Sequence, residues 1–152
     1  MTNNALNNVT ALNKILKGEY MAIATYEKYL QKVKDDKLAA ELNRILEDHK
    51  SHAFILSARV KELGEDPENT GLGGVMLDFM TAVKTAVDTD SLDILKELYG
   101  GENKGIASAL EIADKQLAEY DRQLVEEMMA EDYTHLKTLN NLIEDQTRNV
   151  IH

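Results

Sequence analysis

The chain has 152 residues, one Pro, no Cys, no Trp and a formal net charge of −10 at pH 7. Lack of cysteine excludes disulfides, thiolate catalysis and sulfur-ligated zinc or iron–sulfur clusters. The acidic balance argues against nucleic acid as a partner, because phosphate binding needs a basic surface.

Abundant Leu, Ala, Glu and Lys with few aromatics point to an all-α protein forming one domain over residues 1–152. Met1-Thr2-Asn3-Asn4 lacks the basic and apolar regions of a signal peptide, and no apolar run approaches membrane-spanning length. A soluble, cytoplasmic protein with no membrane partner is expected.

The Asn-rich first nine residues and the tail beyond Asp145 are expected to fray. Helical periodicity begins at Thr10, read as an N-cap, and continues to about Lys34, with Leu12, Ile15, Glu19, Ile23, Tyr26 and Leu30 on one stripe. Asp35-Asp36 makes a short turn, which gives an antiparallel neighbour. The second helix covers about residues 37–63, with Leu38, Leu42, Ile45, His49, His52, Leu56 and Val60 on its stripe and a stop at Gly64.

Pro67, Gly71, Gly73 and Gly74 mark the loop that follows. Residues 75–87 read as a short amphipathic crossover helix, and the whole crossover occupies about residues 65–90. Its face of Met76, Phe79, Met80 and Val83 needs a cover from its own bundle or a second copy, so a homodimer is expected. Ser91 reads as the cap of the third long helix, which carries Leu95, Leu98, Glu102, Ile106, Ala109 and Ala113. The fourth runs over about residues 118–144 with Val125, Met128, Asp132, His135, Leu139 and Leu142, closing a bundle core of about residues 10–144.

A repeat runs through this pattern. Gly18-Glu19-Tyr20-Met21-Ala22-Ile23-Ala24-Thr25 recurs as Gly101-Glu102-Asn103-Lys104-Gly105-Ile106-Ala107-Ser108. Glu19 precedes His52 by 33 positions, and Glu102 precedes His135 by the same 33. Each long helix therefore carries ionisable groups in the middle of an apolar stripe: Glu19, His49 with His52, Glu102, and Asp132 with His135. Residues three apart share a helix face, so each pair can point inward together.

Burying an isolated carboxylate costs several kcal/mol unless it is paired, protonated or bound to a cation. Three carboxylates and three imidazoles suit iron, manganese or zinc, in one or two ions, and Glu19, His49, His52, Glu102, Asp132 and His135 are the candidate metal ligands. The same six groups could instead form a metal-free hydrogen-bonded network, and both readings stay open at this point. Glu47 and Asp48 read as a solvated face. Glu131, four before His135, competes with Asp132 for the inward place. Gly18 and Gly101 read either as close helix packing or as room for a ligand. Tyr26 reads as core, with a hydrogen bond to a carboxylate as the functional alternative.

On these residues the chain resembles the ferritin-like superfamily, specifically its rubrerythrin-like branch, and within it an uncharacterised bacterial group with motifs like G-E-x-x-x-I and D-H-K-x-H. The resemblance runs from about Leu12 to Glu144. It implies a ferritin-like four-helix bundle with a crossover between helices two and three, non-haem iron or manganese at the centre, and oxidase or peroxide-related stress chemistry. In ferritin-like di-iron proteins two helices each give a Glu and two give Glu-x-x-His. Glu19 and Glu102 match the lone carboxylates, and His52 and His135 match the motif histidines. His49 and Asp132 stand where that pattern has a bridging Glu. An imidazole whose second nitrogen faces away cannot bridge two metals, so a single metal, two unequal ions or a degenerate site are compatible with the departure.

Overall fold

In the computed structural model, which describes residues 3–68 and 90–151, four helices account for nearly all of the described residues: α1 (Asn3–Leu30), α2 (Asp36–Glu62), α3 (Ser91–Gln116) and α4 (Glu119–Ile151). The expected crossover helix and its apolar face lie outside the described residues. Among the described residues, no helix is long and apolar enough to cross a membrane.

The helix ends follow local chemistry. Asp35 caps α2, its carboxylate accepting from the backbone N–H groups of Lys37 and Leu38 at 2.9 and 3.0 Å. The turn before it is longer than expected, since α1 stops at Leu30. At the other end Gly64 adopts φ 84°, with Gly64 N bonding Lys61 O and Glu65 N bonding Val60 O. That pair of bonds is a Schellman closure, which needs a residue tolerant of the left-handed region. Asp90 rather than Ser91 caps α3, accepting from Asp93 N at 2.9 Å.

Pairs across the bundle give its topology. Asn13 reaches Asp66 and Glu19 reaches His49, so α1 and α2 are antiparallel. Tyr26 meets Glu102 while Tyr29 meets Glu97, so α3 also runs against α1. Arg59–Asp121 and His52–Glu131 make α4 antiparallel to α2. Hence α2 and α3 run the same way, and α2 ends about 40 Å from where α3 begins, at 1.5 Å per helical residue. A connection along the bundle is required, as the crossover expectation has it.

The core has two apolar halves. One gathers Leu12, Leu16, Leu56, Val60 and Val125; the other gathers Tyr26, Leu42, Ile45, Leu95 and Leu139. The six expected ligands fill the layer between them, all buried.

Helix extends into both segments expected to fray, α1 from Asn3 and α4 as far as Ile151. Asn8 is buried, donates to Asp121 Oδ2 at 2.8 Å and accepts from Ala118 N at 2.8 Å. Asp121 is 1% exposed and accepts from Arg59 Nε at 2.6 Å, while the Arg59 guanidinium sits 4.6 Å over the Tyr120 ring. This clasp ties the start of α1 to α2 and to the α3–α4 turn. Arg59→Met leaves the Asp121 carboxylate buried with only Asn8 and is expected to lower stability by about 3 kcal/mol in urea unfolding. A loss below about 0.5 kcal/mol would show that water replaces the guanidinium.

Candidate metal centre

Glu19 from α1 and Glu102 from α3 enter the central layer from one side, and α2 and α4 supply the rest. His49 lies between the two glutamates, with Nδ1 2.7 Å from Glu19 Oε2 and Nε2 2.5 Å from Glu102 Oε1. Asp132 lies between the other two histidines: its Oδ1 is 3.5 Å from His52 Nδ1 and 3.3 Å from His135 Nδ1. Two overlapping sets of potential ligand atoms result. One is Glu19, His49, His52 and Asp132, the other His49, Glu102, Asp132 and His135. All six expected residues converge, and His49 and Asp132 belong to both sets.

The orientation of His49 corrects the sequence-based expectation. Neither ring nitrogen faces away, because antiparallel α1 and α3 place one glutamate at each edge of the ring.

The outer edges of His52 and His135 are held by Glu131, expected as a rival of Asp132, and by Asp48, expected as a solvated face. His52 Nε2 donates to Glu131 at 2.7 Å, and His135 Nε2 donates to Asp48 at 2.8 Å. Asp48 is thus not merely part of a solvated face, and Glu131 does not replace Asp132: their side chains stay half-exposed or more, at 50% and 64%. The signal was present in the repeat. Asp48 and Glu131 each stand four residues before a histidine of their own helix, and each reaches across to the histidine of the other. Such outward N–H bonds fix the ring and its tautomer, leaving Nδ1 as the inward donor atom.

Three atoms of this layer are buried without a hydrogen-bond partner: His52 Nδ1, His135 Nδ1 and Asp132 Oδ1. Unpaired buried polar atoms are uncommon and costly. Two imidazole nitrogens and a carboxylate oxygen facing one another are a donor set for divalent transition ions. The cluster is compatible with metal binding.

A family model described as a domain of unknown function (DUF2383) matches residues 7–115. The chain belongs to this family. No curated protein sequence matches it. The fold of this DUF2383 protein is similar to a solved structure described as "ferritin like, diiron-carboxylate proteins from Bacillus anthracis str. Ames", with a TM-score of 0.70 and 22% identity over 94% of this chain and 99% of that one. The bundle is therefore ferritin-like.

An apolar cavity of about 280 Å³ opens between α1 and α3, reaching Glu19, Tyr26, His49, Glu102 and Asp132. Gly18, Gly101 and Gly105 line it, and a Cβ built at any of them meets nothing within 4 Å. Close helix packing, one of the two expected roles of Gly18 and Gly101, is not what they do. Tyr26 goes beyond core filling: its hydroxyl donates to Glu102 Oε1 at 2.8 Å.

The charges in this layer hold one another. Burial alone would favour a neutral His49, but the hydrogen bonds and charges of Glu102 and Glu19 outweigh it and raise its pKa to about 11. His52 is raised to about 9 against the same burial, by Glu19 and Glu131. Burial would raise Glu102, yet His135 and His49 bring it down to about 2. Asp132 is raised to about 7, by burial first and by the charge of Glu19 next.

Without metal, the protein is expected to melt at a lower temperature near pH 10 than near pH 7. A histidine whose folded pKa exceeds its ordinary 6.5 contributes fully below that value. The contribution is lost as pH climbs towards about 9 for His52 and about 11 for His49. Glu102 acts in the opposite direction, its contribution vanishing as pH falls from 4.5 towards about 2. Circular-dichroism melts with no alkaline decline would show that these histidines are not held by the buried carboxylates. Gly101→Ala is expected to raise stability by up to about 1 kcal/mol, because a helical glycine is replaced where there is room. A loss in urea unfolding would mean that α1 and α3 lie closer than the cavity indicates.

Proposed function

We propose that the protein binds two divalent transition-metal ions, iron or manganese before zinc, through Glu19, His49, His52, Glu102, Asp132 and His135. The observation that carries this reading is the set of three unpaired buried atoms, His52 Nδ1, His135 Nδ1 and Asp132 Oδ1. A metal-free structural bundle is the rival. It explains His49, which is bonded at both nitrogens, but leaves those three atoms with ion-pair contacts of 3.3–3.5 Å and no hydrogen bond. The two overlapping ligand sets, one on each side of Asp132, favour two ions over one. The structural neighbour's description as a diiron-carboxylate protein supports the same reading.

Bound iron or manganese would supply redox chemistry, with oxidation of ferrous iron or reduction of peroxide in a stress role as the reactions proposed. The chain's residues have separate tasks. Glu19, Glu102 and Asp132 balance cation charge. His52 and His135 offer Nδ1 while Glu131 and Asp48 keep their rings from turning. The cavity between α1 and α3 gives small molecules a path to the Glu19–Glu102 edge. The chain has no cysteine, so reducing electrons must come from another protein or molecule.

Elemental analysis of untagged protein after anaerobic loading with ferrous or manganous ion tests this. About two ions per chain are expected, falling to one or fewer in Glu19→Ala and in Glu102→Ala. Free metal at a hundredfold its Kd should stabilise the folded chain by about 2.7 kcal/mol. Metal content below about a tenth of an equivalent would favour the metal-free bundle.

A further inference from the structure

We infer that His49 is a bridging ligand, one ring nitrogen to each of the two ion positions, and so takes the place of a bridging carboxylate as an imidazolate. The inference rests on the two-ion reading above and adds the identity of the link between the ions.

Geometry comes first. His49 Nδ1 lies on the Glu19 side and Nε2 on the Glu102 side, at 2.7 and 2.5 Å from their oxygens. Glu19 belongs to one ligand set and Glu102 to the other, while His49 and Asp132 belong to both; of these two, His49 turns a separate atom to each glutamate. An ion seated beside each glutamate would therefore find a different nitrogen of the same ring. The ring is 3% exposed and walled by other rings, with centroids of Tyr26 at 5.6 Å, His135 at 5.2 Å and His52 at 6.2 Å. Both of its nitrogens are already committed to the two carboxylates.

Charge points the same way. Two divalent ions carry four positive charges, and Glu19, Glu102 and Asp132 carry three negative ones. A ring bound at both nitrogens gives up both N–H protons to solvent and becomes a monoanion, which supplies the fourth. The buried layer is then neutral with no further anion, as a site shielded from water requires. A ring bound through one nitrogen leaves a net positive charge in the core and an N–H directed at an ion-bound glutamate.

The bridge fixes a distance. Two metal–nitrogen bonds of about 2 Å plus the width of the ring set the ions on the order of 6 Å apart. Pairs held by small bridges sit closer, at about 3.5–4 Å.

The test is anomalous diffraction from crystals of the full chain loaded with manganous ion, together with electron paramagnetic resonance of the protein loaded with cupric ion. Two anomalous peaks on the order of 6 Å apart, flanking the His49 ring, and exchange-coupled cupric pairs are expected. Two peaks within about 4 Å, with the ring on one ion only, would overturn the bridge while leaving the two-ion reading intact. No peak in the layer would overturn both.

Two variants separate the bridge from a merely structural role. His49→Glu keeps the charge count, so it should still load two ions but draw them together to about 4 Å. His49→Gln, which cannot bridge as an anion, should lose the coupling signal and fall to about one ion per chain. A folded His49→Gln variant with two coupled ions at the parent spacing would overturn the proposal. Should His49→Gln fail to fold, the spacing in His49→Glu decides: a value unchanged from the parent overturns it equally.

Discussion

Everything in this bundle is arranged around one constraint: six ionisable side chains occupy the middle of a hydrophobic core. Such a layer would be intolerable if its members were unpaired, since each buried charge left alone costs several kcal/mol. The chain meets the constraint by alternation. His49 stands between Glu19 and Glu102, and Asp132 stands between His52 and His135, so carboxylates and imidazoles alternate across the layer. Apolar clusters flank the layer above and below, which lowers the local dielectric and strengthens each of these contacts. Four long helices are well suited to this, because each can carry one or two ligands at mid-length while its ends are secured elsewhere.

Much of the layer could be read from the sequence, because burial of charge conflicts with helical periodicity in a recognisable way. Glu19, His49, His52, Glu102, Asp132 and His135 all interrupt apolar stripes, and the 33-residue spacing in both halves placed them at one level. Periodicity could not say which nitrogen of His49 faces which helix. That depends on α3 running against α1, a tertiary fact. Nor could it separate Asp48 and Glu131 from ordinary surface acids, since both are substantially exposed and act only by reaching across to the other helix. The ends failed for a related reason. Asn8 looked like part of a polar leader, and only its pairing with Asp121 and Ala118, more than a hundred residues away, makes it part of the core.

The repeat also shows which parts of the site tolerate change. Lone glutamates, motif histidines and outward carboxylates occur in both halves, and the outward carboxylates serve reciprocally, each half orienting the other's histidine. The halves differ at the central positions, His49 against Asp132, and at Tyr26, whose counterpart is Ala109. The positions that differ, His49 and Tyr26, both contact Glu102 of the other half.

That difference makes the layer unequal across its width. Glu102 accepts from Tyr26 and also meets His49 and His135, whereas Glu19 meets His49 and, at longer range, His52. A carboxylate already bonded to a phenol is a weaker electron donor than a free one, so an ion beside Glu102 would be held less tightly in charge terms but more rigidly in position. The cavity adds a second inequality, because it reaches Glu19, Glu102, His49 and Asp132 and not the two outer histidines. A small molecule arriving between α1 and α3 would meet the carboxylate edge and the His49 ring first, while His52 and His135, pinned from behind by Glu131 and Asp48, form the closed side. The open side of the layer and its pinned histidines therefore lie apart, so that a molecule in the cavity would leave the contacts of His52 with Glu131 and of His135 with Asp48 undisturbed.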